Sequence, residues 1–139
     1  MSTEENKAIV VRHLKEFLEQ GKLDLIESYY APDGSDPEMW SIEQWKDAVR
    51  EHHKDCPGFK VNLLQLVAEG EWVMAYIQFD LTYSVENPAG SSYPFGKPFS
   101  WRNVNIHRIV NGKIVTERFF GDLTDRLVEI GALKLEKVA

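Results

Sequence analysis

Asn103, Asn105, His107 and Asp122 are the residues of this chain whose types and spacing could do chemistry. The first three alternate along "RNVNIHRIV", so an extended strand puts them on one side, where a core strand normally carries Val or Ile. Two amides and an imidazole offer donors and acceptors to a polar ligand atom. Asp122 closes the following stretch and adds a carboxylate, a group able to take or give a proton. Two arrangements satisfy such a stripe. It can face solvent, as one face of an antiparallel sheet does, or it can line a cavity.

The elements that position these residues are read from local pattern. Asn111-Gly112 signals a two-residue type I′ turn, because both central residues need positive φ. In strict register Val110 then opposes Lys113, His107 opposes Thr116, Asn105 opposes Arg118 and Asn103 opposes Phe120. Opposed residues share a face. One face is therefore expected to carry Trp101, Asn103, Asn105, His107, Thr116, Arg118, Phe120 and, if pairing extends that far, Asp122. The other carries Arg102, Val104, Ile106, Arg108, Val115, Glu117 and Phe119.

Upstream, Thr3 is placed to cap a helix with Glu4 and Glu5 in its first turn, and Val10, Leu14, Phe17 and Leu18 repeat at helical spacing until Gly21. A shorter helix over "KLDLIESYY" ends at Pro32. Ser41 and Gln44 fit a capping box, flanked by Trp40 and Trp45 at the staple positions, so a third helix starts at Ile42 and ends at "CPG". Its inward side is expected to hold Trp45, Ala48, Val49 and His52. From Phe59 the period changes to two. Two strands meet near Glu69-Gly70, and Val73, Ala75, Ile77, Phe79 and Leu81 make a core face. "ENPAGSSYPFGKP" reads as a long connection, and "LTDRLVEIGAL" as a short closing helix. Helices first and a mainly antiparallel sheet afterwards make an α+β domain.

The chain has 139 residues, the size of one domain spanning 1–139. A formal charge of −6 argues against a nucleic-acid groove, which needs a concentrated basic surface. Cys56 stands alone, so no intrachain disulfide forms; the N-terminus lacks a signal-peptide pattern, and no apolar run approaches a membrane span. A soluble, cytoplasmic protein is the expectation.

Three segments carry a family likeness: "ENKAIVVRHLKEFLEQGKLDLIESYYAPD", "LVAEGEWVMAYIQFDLTY" and "NIHRIVNGKIVTERFFGDLTDRLVEIGAL". In order and spacing they resemble the nuclear transport factor 2-like superfamily, and within it the SnoaL-like polyketide cyclase branch. The resemblance implies a cone-shaped, curved sheet wrapped around N-terminal helices with one deep pocket, and frequently a homodimer formed through the outer sheet surface. It also implies a general acid/base at an aspartate after the last strand, assisted by a histidine on the preceding strand. Asp122 and His107 stand at those places. The Asp-Arg-Asp set of limonene-type epoxide hydrolases is absent as written, since Val104 stands two residues beyond Arg102. The ketosteroid isomerase set finds no residue-by-residue match.

An intramolecular aldol closure needs a base beside a carbonyl and donors for the developing enolate. Aspartate in water is a weak base, with a pKa of about 3.9. In an apolar mouth made by Trp101, Phe119 and Phe120 its pKa would rise toward useful proton transfer. Asp122 is thus expected as acid/base, with His107 and Asn105 stabilising substrate oxygens and Asn103 beside them. The plain roles stay open: Asp122 as a helix cap, His107 as a structural histidine, Arg118 as an anion binder or an ion-pair partner. Tyr29, Tyr30, Trp40, Trp45, Tyr76 and Trp101 are candidates for an aromatic cavity, with Trp40 and Tyr30 flanking the loop over its mouth. Adjacent His52 and His53 point to different sides of a helix and make a poor metal pair. No metal or other cofactor is implied. The leading expectation is a cofactor-free enzyme acting on an apolar or aromatic, carbonyl-bearing small molecule. The alternatives are a non-catalytic binding or interaction module, and an isomerase or epoxide hydrolase-type reaction in the same pocket.

Overall fold

The computed structural model describes residues 2–33, 36–84 and 94–134. Helix α1 (Thr3–Arg12) starts at Ser2, whose Oγ accepts from the Glu5 N–H while the Glu5 carboxylate accepts from the Ser2 N–H. The cap is thus one residue earlier than Thr3, because the reciprocal box needs Glu at its third helical position. The helix runs on without a break as a π-helical stretch, His13–Glu19, and stops at Gly21, whose φ is +68°. Val10, Leu14, Phe17 and Leu18 are all buried, as their spacing requires.

A 3₁₀ turn (Leu23–Leu25) leads into α2 (Ile26–Tyr29), after which Tyr30 bridges to Ile114. Helix α3 (Ile42–Asp55) opens with the expected capping box between Ser41 and Gln44. Trp40 and Trp45 pack with ring centroids 4.8 Å apart, which fixes how the chain enters the helix.

Strands β1 (Lys60–Glu69), β2 (Trp72–Thr82), β3 (Pro98–Val110) and β4 (Lys113–Gly121) form one antiparallel sheet in sequence order. The fold is α+β, a curved antiparallel sheet wrapped around the N-terminal helices. Val73, Ala75, Ile77, Phe79 and Leu81 are buried on its inner face. The connection expected over "ENPAGSSYPFGKP" falls mostly on residues 85–93, outside the described residues. Helix α4 (Leu123–Glu129) follows β4 and buries Leu127. Among the described residues no helix is long and apolar enough to cross a membrane.

The strict hairpin register does not hold. Val110 faces Lys113 and Ile109 faces Ile114, but Arg108 then faces Thr116, leaving Val115 as an extra residue on β4. Beyond this bulge His107 faces Glu117, Ile106 faces Arg118, Asn105 faces Phe119 and Asn103 faces Gly121. A shift of one residue moves every later side chain to the opposite face. Glu117 and Phe119 therefore join the inner face, and Arg118 and Phe120 leave it. Phe120 ends 67% exposed.

Candidate active site

The inner face of β3, the inward side of α3 and the start of α4 enclose a cavity of about 390 Å³. Its walls are mainly Trp40, Trp45, Ala48, Val49, Phe59, Phe79, Trp101 and Phe119, with Leu18 and Leu123. Asn103, Asn105, His52, His53 and Thr124 supply the polar atoms. Among the described residues no Asp, Glu, Lys or Arg lines it. Such a space suits an uncharged, largely apolar molecule held by a few polar contacts.

Three residues of the wall each hold a buried polar atom without a hydrogen-bond partner: Trp45 Nε1, His52 Nε2 and Asn105 Oδ1. An indole N–H only donates, an amide oxygen only accepts, and a neutral imidazole nitrogen does one or the other. Burying such atoms unpaired costs roughly 1–3 kcal/mol each. His53 is different, because its Nε2 lies 2.7 Å from the Leu18 carbonyl, which accepts its proton. Burial pulls the His52 pKa down to about 4, with neighbouring His53 pushing the same way and Asp55 opposing. His52 is therefore neutral near pH 7.

The sequence-predicted residues divide into two groups. Asn103, Asn105, Trp40 and Trp101 stand in the cavity wall. Asp122 does not. Its Oδ1 accepts from the Arg102 backbone N–H at 2.7 Å, and its own N–H donates to the Arg102 carbonyl at 3.1 Å. The carboxylate thus extends the β3–β4 ladder instead of sitting in an apolar mouth, and its side chain makes no helix-capping bond. Arg118, moved outward by the bulge, is held by two carboxylates: Asp36 at 2.7 and 3.2 Å and Glu38 at 2.8 Å. It anchors the segment that delivers Trp40 to the cavity and is not aimed at a ligand. Tyr76 lies against Arg102 on the opposite side of the sheet, and Tyr29 is core.

His107 and Tyr30 belong to a second constellation, closed off from solvent. Glu117 Oε2 accepts from the Tyr30 hydroxyl at 2.5 Å and lies 2.7 Å from His107 Nε2. His13 Nε2 lies 3.1 Å from the Tyr30 oxygen. All four side chains are buried. Since Tyr30 gives its proton to Glu117, His13 Nε2 must carry the proton shared with Tyr30. Burial alone would raise the Glu117 pKa, but His107, His13 and the Tyr30 hydrogen bond outweigh it and keep the carboxyl below its usual range. Burial drives the His13 pKa down to about 4 against the pull of Glu117, and raises Tyr30 well above its ordinary value. Neither Glu117 nor His13 is singled out by periodicity. The available signal is complementarity: the bulged register sets Glu117 opposite His107, whereas strict register sets it opposite Ile106.

Known proteins agree with this architecture. No curated protein sequence matches the chain. Among solved structures, AclR from Streptomyces galilaeus superposes with a TM-score of 0.78 at 24% identity, over 96% of this chain and 89% of that one. TsrD from Streptomyces laurentii gives 0.73 at 20% identity, over 96% and 99%. A SnoaL-like polyketide cyclase from Agrobacterium tumefaciens gives 0.73 at 16%, over 94% and 100%. These likenesses concern the fold. The family model described as SnoaL-like polyketide cyclase matches residues 8–129, from the first helix through α4. The chain belongs to the SnoaL-like polyketide cyclase family of the nuclear transport factor 2-like superfamily.

Proposed function

We propose that this protein is a cofactor-free acid/base enzyme that acts on an apolar, carbonyl-bearing small molecule by intramolecular aldol closure, a reading supported by its membership of a family described as polyketide cyclases. The observation that carries this reading is a largely apolar cavity, three of whose lining residues hold a buried, unpartnered polar atom: Trp45 Nε1, His52 Nε2 and Asn105 Oδ1. His52 takes the proton from the carbon next to one carbonyl. The Trp45 N–H holds the enolate oxygen, and Asn105 Oδ1 accepts from a substrate hydroxyl. The enolate carbon then attacks a second carbonyl of the same molecule; a carbon–carbon bond forms, and the new alkoxide receives the proton from His52. A base with a pKa near 4 is serviceable here, since a carboxylate of about 4.6 drives enolisation in ketosteroid isomerase.

Intrinsic fluorescence offers the binding assay, because Trp40, Trp45 and Trp101 all line the cavity. A trihydroxyanthraquinone probe should quench it saturably. Turnover is then measured with a polycyclic β-keto ester carrying a neighbouring ketone. His52→Gln should keep probe affinity and lower kcat by about 10²–10⁴-fold, the usual worth of a positioned base. Full activity in that variant refutes the assignment. The second reading, a non-catalytic small-molecule binder, is favoured by the lack of any carboxylate among the cavity-lining residues. It gives probe binding without turnover in the wild type.

The proposal includes a homodimer formed through the outer sheet face. Met74 pairs with Ile106, Tyr76 with Val104, and Val104 with Phe120, so these side chains form one continuous outward patch. Met74 is 43% and Phe120 67% exposed in the single chain. Large grouped apolar exposure of this kind marks an association surface.

A further inference from the structure

We infer that His13, His107 and Glu117 form a buried zinc-class site, with the Tyr30 oxygen as the fourth donor. The argument is independent of the cavity chemistry. Three potential ligand atoms, one from each of His13, His107 and Glu117, lie within 4.8 Å of one another. Both imidazoles turn Nε2 toward the same carboxylate oxygen: His107 at 2.7 Å and His13 at 3.8 Å, with the Tyr30 oxygen 3.1 Å from His13. A tetrahedral zinc with bonds of about 2.0–2.1 Å spaces its ligands roughly 3.3 Å apart. The two contacts of His13 bracket that spacing; the His107–Glu117 contact needs to open by about half an ångström, and the 2.5 Å contact between the Tyr30 oxygen and Glu117 by somewhat more.

Two nitrogens and one or two oxygens are a donor set that suits zinc by ligand chemistry, with imidazole as the common element. A divalent cation displaces the protons shared within the cluster as it binds. The backbone supports a special role at this place, because the helix turns π-helical from His13 onward, a costly geometry that recurs at functional positions. The site is closed, with each ligand residue 3% exposed or less, so the metal is structural. It ties the N-terminal helix to β3 and β4 behind the cavity.

The test uses tag-free, full-length protein, dialysed against chelator and then titrated with zinc chloride. Elemental analysis should recover one zinc per chain, and the melting temperature should rise with free zinc. X-ray absorption at the zinc edge should show four nitrogen or oxygen neighbours near 2.0 Å with the scattering pattern of two imidazoles. His107→Asn should lower zinc affinity by 100-fold or more, while His53→Asn, outside the cluster, should leave it unchanged. No stoichiometric zinc, a sulfur neighbour, or undiminished binding by folded His107→Asn each overturns the site. If His107→Asn does not fold, the wild-type stoichiometry and absorption spectrum decide alone.

Discussion

Acidifying the protein should expose the cost of keeping His52 neutral. The imidazole packs edge-on against Phe59, with ring centroids 4.3 Å apart, and its Nε2 has no partner in the cavity wall. Burial lowers its pKa from 6.5 to about 4. Between those values the unfolded chain binds a proton that the folded chain refuses. Stability therefore falls as pH drops through that window and levels off below about 4. With 6.5 for the unfolded and about 4 for the folded state, linkage gives a loss of about 2.5 kcal/mol between pH 7 and pH 4.5. His13 acts in the same direction, and so does Glu117 below its ordinary value, so the absolute slope of the wild type is steeper. His52→Phe isolates one contribution, because it keeps a ring against Phe59 and removes the titration. Urea unfolding at pH 7.0, 6.0, 5.0 and 4.5, with chelator present, measures both proteins. The stability difference between them should shift by about 2.5 kcal/mol in favour of the variant as pH falls. Parallel curves would show that His52 titrates normally in the folded chain, and the account of a neutral cavity imidazole would fail.

Three further outcomes are expected. Gly121→Ala places a Cβ 1.7 Å from Asn103 Oδ1 and 2.8 Å from the Arg102 carbonyl oxygen, so Asn103 must swing and the strands must part. Probe affinity by fluorescence should fall at least tenfold, and denaturant unfolding should show a loss of about 1–3 kcal/mol, the range for overpacking. Glu117→Leu removes the acceptor for Tyr30 and His107 in the buried cluster. Measured with chelator present, it should cost about 3–5 kcal/mol, the penalty for breaking a buried pair on one side. Met74→Glu puts a charge on the outer sheet patch; light scattering should show a dimer for the wild type and a monomer for the variant, whereas a monomeric wild type would dispose of the dimer.

Much of the scaffold was legible in the residues themselves, because the signals are local. The Ser41–Gln44 box, the Gly21 stop, the Asn111-Gly112 turn and the alternation from Val73 to Leu81 each act within a few residues. The same alternation put Asn103 and Asn105 on one side of β3, and both line the cavity. Strand β4 was not legible in the same way. A single extra residue, Val115, leaves the apolar pattern of "KIVTERFF" nearly unchanged but puts Glu117 and Phe119, in place of Arg118 and Phe120, on the inner face. Which register wins depends on pairing with His107 and on what the helices need to bury, and neither is present in the strand itself. The place of Asp122 is likewise set by a partner, the Arg102 N–H across the ladder.

Sequence by itself thus determined the elements, their order and the polar stripe on β3, since capping, turn and period-two preferences operate between near neighbours. Tertiary structure alone decided that His13, Tyr30, His107 and Glu117 converge, and that Asp122 stays out of the cavity. Those outcomes follow from side chains far apart in the chain competing for the same buried volume, where an ionised or hydrogen-bonding group persists only beside a partner.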